Sequence, residues 1–301
     1  MTEMPSRCGF VALLGAPNAG KSTLTNQLVG AKVSIVTHKV QTTRTRIRGI
    51  AIEGATQLVL VDTPGIFEPK RRLDRAMIHA AWSGAGDADA VVLVADAASG
   101  RIDEDTQRII DGLKRQNRSA ILALNKVDTL KRERLLPLTD LYTRAFEFDQ
   151  IFMVSALNGN GCGDLRRCLA ERMPEGPWLY PEDELSDLPM RMMAAEVTRE
   201  KVFLLLHDEL PYSATVETDI WTDRDDGSVR IDQTLYVERD GQKKIALGKG
   251  GQKIKEIGRK AREELEDMLE RRVHLFLFVK VRGNWQEDRQ RLSEWGLEWD
   301  V

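Results

Sequence analysis

The chain has 301 residues, a length that allows two domains, and its 42% hydrophobic and 30% charged residues are typical of a globular protein with substantial cores. The net charge of −3 excludes a globally basic nucleic-acid binder, so any nucleic-acid surface has to be local. The longest apolar runs are too short to span a bilayer, and three cysteines without C-x-x-C spacing argue against a disulfide framework or a zinc site, which favours the cytoplasm.

Short apolar runs alternate with amphipathic helical stretches in the first half of the chain. Helices are predicted from Lys21 onward and over residues 104–114. Strands that alternate with helices predict an α/β fold with a mostly parallel sheet, in which ligands bind beyond the carboxyl ends of the strands. The predicted strands lie at residues 10–14, 58–61, 90–95, 120–124 and 151–154.

The composition changes between Met173 and Pro189, where prolines and acidic residues accumulate as in a linker. The predicted domains are therefore residues 1–175 and 191–301, joined by a linker at 176–190, with the C-terminal tail assigned to the second domain. In the second domain the predicted order is α-β-β-α-α-β, with a hairpin turn at Asp226-Gly227. Its predicted elements include residues 191–207, 213–220, 229–237 and 273–281, followed by a C-terminal helix at 289–295.

Residues 15–22 match the phosphate-loop pattern G-x-x-x-x-G-K-[ST] and lie between a predicted strand and a predicted helix. A random chain of this length would match roughly once in a hundred. Backbone N–H groups of such a loop face phosphates at a helix N-terminus, Lys21 places its ammonium near the β- and γ-phosphates, and Ser22 offers a ligand to Mg²⁺. The predicted nucleotide-binding residues are Gly15, Ala16, Pro17, Asn18, Ala19, Gly20, Lys21 and Ser22.

A second loop, Asp62-Thr63-Pro64-Gly65, follows another predicted strand. Asp62 is predicted to hold Mg²⁺ through a water molecule, and the N–H of Gly65 is predicted to bond the γ-phosphate, so that the loop senses this phosphate. Ile66, the next residue, is also predicted to belong to the nucleotide-binding site. Because its side chain offers no amide to orient a water molecule, slow intrinsic hydrolysis is expected.

Two motifs that read the base follow the last two predicted strands, namely Asn125-Lys126-Val127-Asp128 and Ser155-Ala156. The carboxylate of Asp128 can accept hydrogen bonds from the N1–H and the exocyclic amine of guanine. Adenine would leave this carboxylate unpaired, at a cost of about 1–3 kcal/mol or more. A backbone N–H of the Ser155-Ala156 pair is expected to reach guanine O6. The predicted ligand is therefore GTP or GDP.

A GxxG sequence at residues 248–251 lies in a basic helical stretch, which holds eight Lys or Arg residues and one acid between Lys243 and Arg262. Glycines at such a junction let the backbone approach a sugar-phosphate chain, and KH domains clamp about four single-stranded nucleotides in this way. The order α-β-β-α-α-β predicts a type II KH domain. The predicted RNA-binding residues are Gly248, Lys249, Gly250, Gly251, Lys253 and Lys255.

In combination, these motifs resemble the Era family of bacterial GTPases, members of the translation-factor-like class with a C-terminal KH domain. The likeness runs from about Gly9 to Gly283 and includes Gln41-Thr42-Thr43-Arg44-Thr45-Arg46, which is similar to the family's first switch loop. It implies that Thr43, or alternatively Thr42, binds Mg²⁺ in the GTP state. It also implies that Asn18 helps to hold K⁺. The catalytic residues expected on this basis are Lys21, Thr43, Gly65 and Asn18.

The resemblance further implies a GTP-hydrolysing switch that binds the 3′ end of small-subunit (16S) rRNA in the 30S precursor and acts in 30S ribosomal subunit biogenesis. It implies peripheral contact with the inner membrane as well, and a monomer is expected. Two alternatives stay open from the residues alone. One is an RNA-binding scaffold whose nucleotide serves only stability, and the other is a membrane-surface signalling GTPase that binds no RNA.

Overall fold

The computed structural model describes residues 5–39, 41–44, 46–207 and 209–300. Contacts divide this part of the chain into two units. The first unit runs to Asp187 and also contains the chain from Leu292 onward, whereas the second runs from Leu188 to Arg291. The boundary after Asp187 falls inside the segment that was predicted as a linker.

A six-stranded sheet forms the centre of the first unit. Its strands are β1 (Arg7–Leu14), β2 (Ile47–Glu53), β3 (Thr56–Asp62), β4 (Ala90–Asp96), β5 (Ile121–Asn125) and β6 (Ile151–Met153). They are arranged in the order β2-β3-β1-β4-β5-β6, with β2 antiparallel to β3 and all other neighbours parallel. The prediction of an α/β fold with a mostly parallel sheet is confirmed.

Helices cover both faces of this sheet, which explains why its central strands are apolar along most of their length. They are α1 (Lys21–Val29), α2 (Arg72–Asp87), α3 (Glu104–Arg115), α4 (Leu135–Ala145) and α5 (Cys162–Arg172). Leu24 of α1 and Leu165 of α5 pack on one face, while Ala81, Ile109 and Leu138 of the other three helices pack on the opposite face. No helix in the described part of the chain is long and apolar enough to cross a membrane.

Strand β2 was not predicted. Arg48 and Gly49 interrupt its apolar pattern, and glycine is unfavourable inside a strand. The strand forms because a hairpin turn with Gly54 at φ 59° returns the chain onto itself, so that β2 pairs with β3 over its full length. Its existence therefore depends on a partner strand and not on its own sequence pattern.

Much of the predicted linker lies along the edge of the first unit. The indole Nε1 of Trp178 donates to the carbonyl oxygen of Ala55 at 3.1 Å, and the backbone N–H of Ile50 donates to the carbonyl oxygen of Leu185 at 2.9 Å. Buried Gln57 accepts hydrogen bonds from the backbone N–H groups of Leu179 and Tyr180, at 2.9 and 3.0 Å. This segment is therefore an ordered strap on β2 and β3.

The second unit has the predicted order α-β-β-α-α-β. Its elements are α6 (Met190–Leu205), β7 (Ala214–Asp223), β8 (Val229–Val237), α7 (Asp240–Leu247), α8 (Gln252–Leu269) and β9 (Val273–Val281). The sheet order is β7-β8-β9, with β8 antiparallel to β7 and parallel to β9. The turn between β7 and β8 contains Gly227 at φ 79°, where the sequence predicted a hairpin. This arrangement is that of a type II KH domain.

The last residues of the chain pack against the first unit, although the sequence analysis had assigned this tail to the second domain. A short helix, α9 (Arg289–Glu294), precedes Leu297 and Trp299. Leu292 and Leu297 are buried against Leu73 and Met77 of α2, and the guanidinium of Arg72 lies 4.5 Å from the Trp299 ring centroid. The tail groups with α2 because its leucines and tryptophans bury apolar surface there, which chain order could not reveal.

Candidate functional site

A pocket of about 320 Å³ opens at the carboxyl ends of the strands of the first unit. Its wall consists of the phosphate loop, residues 36–39 and 41–43, Gly65, and residues from the two predicted base-reading motifs. Five sequence segments that are separated along the chain therefore meet in one cavity. This is the position that parallel α/β sheets offer to ligands.

The phosphate loop is held by its own lysine. The Nζ of Lys21 donates to the carbonyl oxygens of Gly15 and Ala16, both at 3.0 Å. Burial lowers the pKa of the Lys21 ammonium to about 8, while Asp62 opposes this effect. Gly20 adopts φ 94° where the loop enters α1, a conformation that favours glycine. The loop thus places a desolvated cation where phosphates would bind.

The three predicted Mg²⁺ ligands, Ser22, Thr43 and Asp62, lie within hydrogen-bond distance of one another. The side chain of Asp62 is fully buried. Its Oδ2 accepts hydrogen bonds from Ser22 Oγ at 2.7 Å and from Thr43 Oγ1 at 3.2 Å. Its Oδ1 is also buried but has no hydrogen-bond partner among the described residues. Desolvation raises the pKa of the Asp62 carboxyl, although hydroxyl hydrogen bonds and Lys21 counteract this rise. An orphaned carboxylate oxygen beside two hydroxyls is a donor set that fits Mg²⁺.

The two candidate switch threonines are placed differently. Thr43 Oγ1 lies 2.9 Å from Ser22 Oγ, inside the cluster around Asp62. Thr42 Oγ1 instead donates to the carbonyl oxygen of Lys39 at 2.6 Å and faces Thr37. The geometry therefore favours Thr43 over Thr42 as the metal ligand. Thr45, which belongs to the same predicted switch loop, lies outside the described residues.

The second loop packs closely on the phosphate loop. Thr63 Oγ1 donates to the carbonyl oxygen of Leu13 at 2.6 Å, and the backbone N–H of Ile66 donates to the carbonyl oxygen of Gly15 at 3.2 Å. Gly65 lines the pocket, whereas the side chain of Ile66 is buried in the core and Pro64 is also buried. Ile66 thus contributes its backbone to the loop and leaves no polar side chain at the pocket.

At the base end of the pocket, buried Asn125 connects three segments. Its Nδ2 donates to the carbonyl oxygen of Ala19 at 2.9 Å, and its Oδ1 accepts from the backbone N–H of Ala156 at 2.9 Å. The Nζ of Lys126 donates to the carbonyl oxygen of Asn18 at 2.7 Å and pairs with Asp96 at 2.6 Å. These bonds hold the base motif against the phosphate loop. Val127 packs in the core, and Asp128 remains exposed at the pocket wall.

The predicted N–H donors to the base are already engaged. The backbone N–H of Ser155 donates to the carbonyl oxygen of Asn160 at 2.9 Å, and that of Ala156 donates to Asn125. A bond to a base would therefore have to share or replace the present one. The hydroxyl of Ser155 is buried without a partner among the described residues. The neighbouring Leu157 is 80% exposed and lines the pocket, a position that the sequence did not single out.

Several other wall residues were missed by sequence reasoning. His38 belongs to no predicted motif, yet it lines the pocket. The segment that precedes the switch threonines has no motif of its own, so its approach to the pocket could be inferred only from the fold. The wall residues that belong to no predicted motif are Thr23, Val36, Thr37, His38, Lys39, Thr129 and Leu157.

The GxxG sequence forms the junction between α7 and α8 in the second unit. Gly250 and Gly251 adopt φ values of 61° and 76°, and no atom lies within 4 Å of a Cβ built at either position. Gly251 occupies the N-cap of α8, and the backbone N–H groups of Gly251 and Gln252 donate to the carbonyl oxygens of Gly248 and Lys249 at this helix start. The junction therefore offers open space and a helix N-terminus to a phosphate.

Positive charge is concentrated at this helix start. Lys249 and Lys255 are exposed, and among the described residues no carboxylate lies within ion-pair distance of either side chain. Lys253 lies 3.6 Å from Glu256, and farther along the helix Arg259 pairs with Glu263 at 2.7 Å. The basic stretch is thus neutralised along α8 but remains cationic beside the glycines.

Comparisons with known proteins agree with both halves of this description. A family described as "50S ribosome-binding GTPase" matches residues 10–126, and a family described as "KH domain" matches residues 209–286. GTPase Era of Rhizobium meliloti (strain 1021) is 60% identical over 295 residues, which cover 98% of this chain and 94% of that protein.

Two solved structures are similar over nearly the whole chain. One is Era in complex with MgGDPNP and nucleotides 1506–1542 of 16S ribosomal RNA, with a TM-score of 0.91, 37% identity, and coverage of 97% of this chain and 99% of that one. The other is a variant of Aquifex aeolicus Era bound to GDP and AlF4⁻, with a TM-score of 0.90, 37% identity, and coverage of 96% and 99%. This chain therefore belongs to the Era family of GTPases, as the motifs in its sequence had indicated.

Proposed function

We propose that this GTPase is a switch that binds the 3′ end of 16S rRNA and acts in the biogenesis of the 30S subunit. The observation that carries the proposal is the occurrence, in one chain, of a pocket lined by the predicted guanine-nucleotide motifs and of an open cationic GxxG junction. The Era structure with MgGDPNP and 16S rRNA is similar to this chain across both units, which supports the same pair of ligands here.

In this proposal some residues of the pocket bind the phosphates of the nucleotide and others recognise its base. Backbone N–H groups of residues 15–22 and the Lys21 ammonium bind the phosphates, and Asp128 selects guanine. Ser22, Thr43 and Asp62 would hold Mg²⁺, which neutralises phosphate charge when bound. Gly65 would sense the γ-phosphate through its N–H. Because Ile66 offers no polar side chain at the pocket, intrinsic turnover is expected to be slow.

Asn18 is proposed to help hold K⁺, so that hydrolysis depends on the monovalent cation. Its side chain is exposed at the pocket wall, and its backbone at φ 62° is fixed by the Lys126 hydrogen bond to its carbonyl oxygen. An amide oxygen at this wall is a chemically suitable ligand for a monovalent cation.

The switch requires that GTP and RNA binding be coupled. A nucleotide can shift an equilibrium between two states only if it binds them unequally. The loops around Thr43 and Gly65 contact the γ-phosphate in this proposal, so only GTP would favour the ordered state. We therefore expect the GTP-analogue and GDP forms to bind a 16S rRNA 3′-end fragment with different affinities. Identical affinities, measured by fluorescence anisotropy, would contradict the switch and favour an RNA-binding scaffold.

The cellular setting is proposed to be the cytoplasm, with a monomeric protein that contacts the inner membrane reversibly. The cationic surface around Lys249 supports such contact, since each Lys or Arg near an anionic membrane surface contributes about 1 kcal/mol. Flotation with anionic vesicles at low and high salt tests this proposal. Binding that is lost at high salt is expected, and no binding at either salt concentration would exclude the contact.

A further inference from the structure

Ser34 lies outside every predicted motif, yet its side chain contacts Asp62, the buried carboxylate of the predicted Mg²⁺ site. The residue is fully buried, and its Oγ donates to Asp62 Oδ2 at 2.7 Å. This bond is as short as the one from Ser22 to the same oxygen. Ser34 does not line the pocket. Its hydroxyl therefore hydrogen-bonds the Asp62 carboxylate and would not contact a bound nucleotide.

The position of Ser34 is set by the helix that carries Ser22. Asn26, one turn farther along α1, accepts hydrogen bonds at Oδ1 from the backbone N–H groups of Val33 and Ser34, both at 2.9 Å. Its Nδ2 donates to the carbonyl oxygen of Ser34 at 2.7 Å. Three hydrogen bonds from one side chain thus clamp this backbone. The Ser34 hydroxyl is therefore held in register with Ser22 and Asp62 by α1 itself.

Ser34 differs in function from Ser22 and Thr43, whose hydroxyls also hydrogen-bond Asp62 Oδ2. Ser22 and Thr43 are the residues whose oxygens would serve a metal ion. Ser34 has no such function, so its donor is dedicated to Asp62 Oδ2. With Oδ2 fixed in this way, Oδ1 is the carboxylate oxygen that lacks a hydrogen-bond partner in the described part of the chain. Replacement of a residue that hydrogen-bonds a metal ligand, without binding the metal itself, commonly weakens metal affinity by about 10–100-fold.

We propose that Ser34 is a positioning residue for the Mg²⁺ site, which fixes the Asp62 carboxylate through Oδ2 and leaves Oδ1 for the metal's coordination sphere. This inference rests on the proposed function, because it requires that Mg²⁺ binds with the nucleotide. It predicts that loss of the Ser34 hydroxyl weakens Mg²⁺ binding while nucleotide binding without metal is retained.

The test uses the full-length protein loaded with a fluorescent GDP, and measures nucleotide release as Mg²⁺ is titrated against a chelator. For Ser34→Ala, the Mg²⁺ concentration that half-maximally retains nucleotide should rise about 10–100-fold. Affinity for GDP in excess chelator should stay within about twofold of the unmodified protein. A matched control is Thr25→Ala, since Thr25 is equally buried on α1 and its hydroxyl donates to the carbonyl oxygen of Lys21 instead of to Asp62. This control should leave the Mg²⁺ dependence unchanged.

Two results would overturn the inference. One is an unchanged Mg²⁺ dependence in Ser34→Ala, and the other is an equal loss of nucleotide affinity with and without Mg²⁺, which would indicate a purely structural role. If Ser34→Ala fails to fold, Ser34→Cys has nearly the same shape and a weaker donor, and the same measurement on it decides the question. Absence of any Mg²⁺ dependence in the unmodified protein would instead count against the proposed function.

Discussion

The side-chain amide of Asn125 donates a hydrogen bond to the carbonyl oxygen of Ala19 at 2.9 Å, which ties the base-reading motif to the phosphate loop. The Asn125 carbonyl oxygen holds the backbone N–H of Ala156 at the same distance. One buried side chain thus fixes the relative positions of the loops that are proposed to bind the two ends of a nucleotide. Asn125 therefore has a structural role in the pocket in addition to the nucleotide contact that we propose for it.

Replacement of Asn125 by alanine should destabilise the nucleotide-free protein. The change leaves the carbonyl of Ala19 and the N–H of Ala156 without their partners, at about 1–3 kcal/mol for each buried group. Urea unfolding checks the loss, and Asn158→Ala serves as a control because Asn158 is exposed and should change stability by less than about 1 kcal/mol. Equal stabilities of the two variants would show that the Asn125 bonds are energetically unimportant.

Exchange of Asp128 for asparagine should change which base is bound. The amide replaces one acceptor by a donor, which mismatches guanine and matches the second carbonyl of xanthine. Affinity for GTP should fall at least about tenfold while xanthosine triphosphate gains, since unpaired polar groups at such a site are strongly disfavoured. Competition binding with both nucleotides measures the shift. A retained preference for GTP would mean that another residue reads the base.

Gly250→Asp should abolish RNA binding without unfolding the second unit. A Cβ at this position meets open space, but φ 61° is left-handed, where aspartate and asparagine are the best tolerated of the other residues. Gly250→Asn therefore carries the same backbone strain without the charge. Affinity for the RNA fragment should fall more than about tenfold for aspartate and only a few-fold for asparagine. Equal losses would point to backbone strain and not to phosphate repulsion.

Gly112→Ala should destabilise the first unit. A Cβ at this position would lie 2.4 Å from the Trp82 ring, and overpacking of this kind costs about 1–3 kcal/mol. Gly86 in α2 is the matched control, because nothing lies within 4 Å of its Cβ position, and alanine there should stabilise by about 0.4–1 kcal/mol. Opposite signs in thermal unfolding are expected, and a neutral Gly112→Ala would show that the Trp82 ring moves freely.

Hydrolysis should be faster in KCl than in NaCl at equal ionic strength. The proposed cause is a K⁺ ion held with the help of Asn18, and the Asn18→Ala variant should lose the difference while it still binds GDP. Single-turnover hydrolysis in the two salts provides the measurement. Equal hydrolysis rates in KCl and NaCl for the unmodified protein would contradict a role of K⁺ in hydrolysis.

Much of the fold and the site could be predicted because local patterns carry them. The apolar strands, the phosphate loop and the GxxG junction each have a recognisable sequence. The features that escaped prediction depend on distant partners. Strand β2 needs β3, the tail needs α2, and Ser34 reaches Asp62 only through its Asn26 clamp. None of these leaves a periodicity or motif in the sequence, because the information lies in contacts between separated segments.

The most direct test of the switch is GTP hydrolysis with and without a 16S rRNA 3′-end fragment, in KCl, for the unmodified protein and for Gly250→Asp and Gly250→Asn. We expect stimulation by the RNA that persists in the asparagine variant and is lost in the aspartate variant. Unchanged hydrolysis in the unmodified protein, at RNA concentrations where binding is complete, would contradict a switch that couples the two ligands.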